Sequence, residues 1–314
     1  TEIYTLSLHD ALPISALGIL AGTPQGLMRI AASGELEPAE VFGARVSEPV
    51  HALHRDPDGT LWVCGERTGV LRLRKDGARL TIGREAGLEG YPRVICRDSN
   101  GNLWVGTTVG LFGLTTGSVV SMGRQAGVFE DAVLQISEDA SRRLWLGTTR
   151  GLQCVFIEDL ERLVRDGRTE DSGTIRMLHL GLSDGLPGER CMGGANAPGG
   201  PKKGRIWFPF ENGVAVVDPR KAEFSGRPPT VVIEKVLVNG KTVLDNTETS
   251  RSDMIFEPGA RNIVFRFAAL APGAPDSARF RYRVEGLRKG WSPVQADRTR
   301  SEEHTSELQS HHDL

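Results

Sequence analysis

The chain has 314 residues, 39% of them hydrophobic, with 38 glycines, which is room for one large domain or two ordinary ones. No apolar run approaches the ~18 residues needed to cross a bilayer. Lys+Arg of 38 against Asp+Glu of 40, a net charge of −2, gives no electrostatic reason to expect nucleic acid or a membrane surface as a partner. So much glycine suits many short strands joined by turns better than long helices.

The two ends stand apart from the rest. TEIYTLSLHDALPI (1–14) resembles a translated sequencing adapter, and RSEEHTSELQSHHDL (300–314) resembles the opposite adapter. Such segments are set aside before fold reasoning. They hold His9, His304, His311 and His312, so the paired histidines near the end are not read as a metal site. The fold is expected within 15–299, cut at both ends.

In chain order, GILAGTPQGLMRI (18–30) is a half-repeat with Leu20 where later repeats carry tryptophan. Trp62, Trp104, Trp145 and Trp207 follow, at spacings of 42, 41 and 62. DPDGTLW, DSNGNLW and DASRRLW precede the first three, and KKGRIW precedes the fourth. A Gly-x-x-x-Gly frame at 65/69, 106/110 and 147/151 follows the first three tryptophans. Asp, Asn, Gly and Pro suit tight turns because they tolerate or preset the required φ. Each unit reads as strand, turn, strand, turn, strand and a weaker fourth strand. The tryptophan strand is apolar on both faces, with Leu61 and Val63 on one and Trp62 and Cys64 on the other, so it is covered on both sides. Four short strands per ~42 residues, buried only against neighbouring units, describe a β-propeller blade. The spacing of Ile157, Leu160, Leu163 and Val164 fits either a short amphipathic helix or an irregular loop. The segment 220–229 is polar and proline-ended, a linker. TVVIEKVLVNGKTVL then gives two strands around the hairpin signal Asn239-Gly240. NIVFRF and RFRYRV alternate with period two, as strands with one solvated face do. The expected fold is all-β: a partial β-propeller of about four to five four-stranded blades with its ring not closed (15–219), then a truncated Ig-like β-sandwich (230–299).

The order Asp-x-x-Gly-x-Leu-Trp-Val-Gly-Thr-x-x-Gly-Leu resembles the propeller repeat of two-component regulator sensors. GRIWFPFENGVAVVDP (204–219) resembles a final blade of such propellers, and FRYRVEGLRKGW resembles part of the triple-tyrosine sandwich that follows them, with Tyr282 as its first tyrosine. The resemblance implies the extracytoplasmic, periplasmic or extracellular, sensing region of an inner-membrane protein. It also implies a homodimer in the intact protein, and a membrane helix and output module that are not in these residues.

Candidate chemistry is sparse. Cys64, Cys96, Cys154 and Cys191 show no C-x-x-C spacing and no clustered histidines, which disfavours zinc. They read as small buried strand residues, with a disulfide as the alternative in an oxidising compartment. His51 and His54 read as packing or surface residues, or as lining the propeller channel. No phosphate loop and no nucleophile motif appears. DPDGTLW loosely resembles the aspartate box of sialidase-type propellers, which leaves a propeller glycosidase using Tyr91 and Arg93 as a minor alternative. No catalytic, metal or cofactor residue is assigned, and no cofactor is expected. A binding rim is expected where the loops after the tryptophan strands meet those before the inner strands. From it we select Glu66, Arg67, Tyr91, Arg93, Arg150, Arg190, Glu211 and Asn212. Mixed charge with an aromatic suits a small polar ligand such as an oligosaccharide, whose hydroxyls need donors and acceptors. A secreted, non-signalling propeller scaffold is the other alternative.

Overall fold

The structure is a computed structural model that describes residues 12–14, 18–115, 119–122, 131–166, 175–193, 204–222, 230–245, 262–270 and 299–303. The chain divides into two compact units, Thr1–Phe224 and Ser225–Leu314.

The first unit is a row of antiparallel meanders. Blade 1 holds β1 (Leu12–Ile14), β2 (Gly18–Thr23), β3 (Gly26–Ile30) and β4 (Leu36–Pro38), and a short hairpin, β5 (Glu40–Val41) and β6 (Ala44–Arg45), leads out of it. Blade 2 holds β7 (Val50–Arg55), β8 (Leu61–Gly65), β9 (Gly69–Leu73) and β10 (Arg79–Ile82). Blade 3 holds β11 (Pro92–Arg97), β12 (Leu103–Thr107), β13 (Gly110–Leu114) and β14 (Val119–Ser121). Blade 4 holds β15 (Val133–Glu138), β16 (Arg143–Thr148), β17 (Gly151–Phe156) and β18 (Met177–Leu180). Blade 5 holds β19 (Ile206–Phe210) and β20 (Gly213–Val217). Spatial order within each sheet follows chain order.

The two-faced reading of the tryptophan strand holds, and it sets the packing. Leu61 and Val63 meet Leu20 and Leu27 of blade 1, while Trp62 and Cys64 meet Ile95, Val105 and Phe112 of blade 3. Trp104 packs with Ile136, Leu144 and Leu146 of blade 4, and Trp145 packs with Phe208 and Phe210 of blade 5. Each buried indole therefore points into the following blade. At Gly106 an added Cβ would lie 2.6 Å from the Val133 carbonyl of blade 4, so the glycine marks where neighbouring blades touch.

A repeated aspartate ties each indole down. Six residues before the tryptophan, Asp56, Asp98 and Asp139 each accept the indole N–H at 2.8 Å. Asp98 and Asp139 also accept amides of their own turn. Asp56 instead takes Arg97 of blade 3 in a two-pronged ion pair, at 2.5 and 2.7 Å. Burial works against the Asp56 charge, but Arg97 and Trp62 outweigh it and hold its carboxyl below the usual value.

Trp207 breaks the pattern. Pro201 stands six residues before it, and the side chain is 58% exposed. Val214 and Val216, on the same face of β20, are exposed as well. The opposite face of blade 5, with Ile206, Phe208 and Ala215, is buried against blade 4. The blades do not close a ring, and the face that a following blade would cover is bare.

The longer third interval contains a helix, α1 (Ile157–Asp166), between β17 and β18 of blade 4. Ile157, Leu160 and Leu163 are buried in the cluster between blades 3 and 4, which settles the choice between helix and loop. Its buried Asp159 is held by Arg176.

Among its described residues, the second unit shows one antiparallel sheet in the order β22 (Lys241–Asp245), β21 (Thr230–Val238), β23 (Asn262–Leu270), β24 (Thr299–Glu303). Asn239 and Gly240, at φ 49° and 80°, form the two-residue turn that needs two left-handed positions. Of the three residues that the alternation puts on one side, Ile263 and Phe267 are buried and Phe265 is half-buried. RFRYRV, with Tyr282, and Trp291 lie outside the described residues. Two strands use residues of the adapter-like ends: Leu12–Ile14 pairs with β2, and β24 pairs with β23. An edge strand pairs through backbone groups that any sequence carries.

Candidate functional site

The rim is built from two-residue loops after the tryptophan strands. In blades 1, 3 and 4 a threonine pins the loop. The Thr107 hydroxyl donates to the Gly110 carbonyl at 3.3 Å and accepts the Val109 amide at 3.1 Å. Thr148 does the same with Gly151 and Arg150, and Thr23 with Gly26 and Gln25. Such hydroxyl-to-backbone bonds fix a turn locally.

Blade 2 departs from this design, although its Gly-x-x-x-Gly spacing is the same. Gly65 pairs directly with Gly69, whereas Thr107 pairs with Gly110. The shared frame read from the sequence is thus two frames, and the blade 2 loop is one residue longer. In place of the threonine, Glu48 from the preceding blade connection reaches in. It is 6% exposed and accepts the Arg67 amide at 2.7 Å and the Thr68 amide at 3.1 Å. Burial alone would raise the Glu48 carboxyl, but these bonds hold it below its ordinary value.

The inner strands carry a second repeated feature. β7, β11 and β15 each have a bulge after their first residue, leaving His51, Arg93 and Leu134 out of the ladder. A bulge re-aims the side chain it leaves unpaired. In blade 5, Cys191 bridges Phe210 as Val133 pairs with Thr148, which places Met192 at the same position.

Two of these residues join into a chain across blades 2 and 3. Arg93 Nη1 donates to His51 Nδ1 at 3.1 Å, and His51 Nε2 donates to Glu66 Oε2 at 3.1 Å. Arginine cannot accept, so Nδ1 is the acceptor and Nε2 carries the hydrogen. Burial, then the Arg93 charge, push the His51 pKa below its ordinary value despite Glu66. The ring is therefore neutral near pH 7.

The other selected residues have local partners. Arg67 is mostly exposed, its Nε 3.5 Å from Glu48. Tyr91 is 52% exposed, and its amide donates to Thr108 Oγ1. Arg150 lies 3.4 Å from Asp131. The Arg190 carbonyl accepts the Glu211 amide, and Asn212 occupies the β19–β20 turn. Among the described residues, no hydrogen bond or ion pair joins Tyr91, Arg150, Arg190 or Glu211 to Arg93. His51 was not selected from the sequence, yet it is the link. It lies eleven residues before Trp62, as Arg93 does before Trp104 and Leu134 before Trp145, so aligning the repeats on tryptophan exposes the position.

The four cysteines are buried and unbonded to one another. Burial pushes the Cys191 thiol up to about 11 and raises Cys154 as well, so neither is a ready thiolate nucleophile. No group of His, Cys, Asp or Glu suited to a metal occurs among the described residues, and none of their helices is long and apolar enough to cross a membrane.

The stretch from Gly87 through β11 and β12 to Thr108 matches the family model described as "Two component regulator propeller", over residues 87–108. Blade 3 carries a two-component regulator propeller repeat. A solved structure similar to this chain is the extracellular domain of a protein described as a hybrid two component system, BT3049 from B. thetaiotaomicron. The TM-score is 0.57 at 19% identity, covering 93% of this chain and 39% of that one. A second, from the hybrid two component system BT4673 of the same organism, aligns at TM-score 0.47 and 16% identity, covering 94% of this chain and 40% of that one. The chain thus spans well under half of these structures. No curated protein matches the sequence.

Proposed function

We propose that this chain is the extracytoplasmic ligand-sensing part of a two-component signal-transduction regulator. The observation that carries the reading is the regulator repeat at 87–108, set in a run of blades that share its aspartate clamp. The rim around His51, Glu66 and Arg93 takes a small polar ligand such as an oligosaccharide, and the second unit passes the change to a membrane-linked output module, in a homodimer. A ligand acts in this way only through a difference in affinity between two arrangements of the protein. No residue of the rim is assigned a catalytic role. The parent gene read past residue 298 tests the proposal. A membrane helix followed by a phosphotransfer, cyclase or DNA-binding module supports it. A stop codon directly after the second unit makes the protein a secreted scaffold instead.

A further inference from the structure

The residue that follows the first paired residue of the inner strand varies in chemistry from blade to blade, while its neighbours stay regular. Val50, Pro92, Val133 and Cys191 just before it are all buried. The bulge residues run His51, Arg93 and Leu134, and Met192 follows the Cys191 bridge at the matching place in blade 5. Two are polar and joined to each other at 3.1 Å, and two are apolar. A position that the fold does not constrain, and that the bulge aims out of the ladder, is free to be set by a ligand.

Arg93 is the centre of this arc. It is exposed, and its only partner among the described residues is His51, which takes one Nη1 hydrogen. The guanidinium keeps four N–H donors, and among the described residues it meets no carboxylate. By contrast Arg150 has Asp131 and Arg97 has Asp56. The chain from Glu66 through His51 fixes the orientation of the Arg93 fork without neutralising it by contact. Such a fork fits a planar carboxylate with two parallel hydrogen bonds. On the other side of the arc, Leu134 and the exposed Met192 offer an apolar, adaptable surface. Glu66, joined to Arg93 through His51, disfavours a ligand with several negative charges.

We propose that this arc binds a small organic monocarboxylate, with its carboxylate on Arg93 and its apolar body against Leu134 and Met192. This rests on the ligand-sensing reading above and narrows it, placing the recognition element on the inner strands and making it a single acid group.

Hexanoate is a direct probe, with hexan-1-ol, acetate and inorganic phosphate as comparisons, added to the full chain and followed by ligand-observed NMR. Hexanoate is expected to bind, hexan-1-ol not, and acetate at least several-fold more weakly than hexanoate. Arg93→Gln is expected to weaken hexanoate at least tenfold, with Arg93→Lys intermediate because it keeps charge and loses the fork. Met192→Ser is expected to bring hexanoate down towards acetate. Equal binding of hexanoate to the parent and to Arg93→Gln overturns the proposal, as does hexan-1-ol or phosphate matching hexanoate. If hexanoate fails while a neutral oligosaccharide binds, this inference falls and the sensing reading stands. If no small molecule binds the rim in a broad panel, both fall.

Discussion

Removal of Asp98 tests the aspartate clamp most directly. Its carboxylate accepts the Trp104 indole N–H, the Asn102 amide and the Asn102 side chain at 2.8 Å, and the Asn100 amide at 3.0 Å. In Asp98→Ala the two turn amides are near enough to the surface to find water, and the Asn102 side chain keeps Glu161 at 2.8 Å. The indole has no such escape, because Trp104 is 1% exposed. A buried donor left unsatisfied costs about 1–3 kcal/mol, and loss of the charge-assisted turn bonds adds to that. The expected total is about 3–4 kcal/mol. Trp104→Phe removes the donor and leaves Asp98 its other partners. The same aspartate deletion in the Trp104→Phe background should therefore cost about 1–2 kcal/mol less. Urea unfolding of the parent, both single variants and the double variant, followed by far-UV circular dichroism, gives the cycle. Additive costs, with coupling below about 0.5 kcal/mol, would refute the clamp as an energetic element.

Three further outcomes follow from the geometry. Gly106→Ala should destabilise by about 1–3 kcal/mol, because its Cβ would press on the Val133 carbonyl at 2.6 Å; thermal melting checks it. Trp207→Gln, at the bare face of blade 5, should change stability by under about 0.5 kcal/mol yet reduce self-association in light scattering, since exposed apolar surface drives association. Stability should also fall with acid. Burial, the first cause for both, depresses the folded pKa of His51 and His54 below 6.5. The unfolded chain then binds more protons, so their contribution is whole above about pH 6.5 and lost as pH falls through the folded values. The carboxylates of Glu48 and Asp56, also depressed, add a second loss below about pH 4. Urea midpoints at pH 8.0, 5.5 and 3.5 that do not decline in that order would contradict this.

The blade was legible in the sequence because its signals are local. The tryptophan strand is apolar on both faces because it lies between two sheets, and the turn residues sit where a φ preference demands them. Asn239-Gly240 announced its hairpin for the same reason. Recurrence of one motif at near-constant spacing then gave the stacking, since a unit that cannot bury its faces alone must stack. The sequence also held the aspartate six residues ahead of each buried indole, although only the fold shows what it binds.

What the sequence could not decide depends on register and on contacts between blades. Gly-x-x-x-Gly looks identical in blades 2 and 3, yet Gly65 pairs with Gly69 where Thr107 pairs with Gly110, and the longer loop brings in Glu48 from 17 residues before Gly65. The bulges that free His51 and Arg93 are invisible in composition, because a bulge is a mismatch between two strands and belongs to neither alone. Trp207 sits in an apolar strand as its counterparts do, though without their aspartate, and it stays exposed because burial of a blade face requires another blade against it. Local propensity writes each strand and turn into the chain, whereas pairing and packing are properties of distant segments brought together, and only the tertiary structure fixes them.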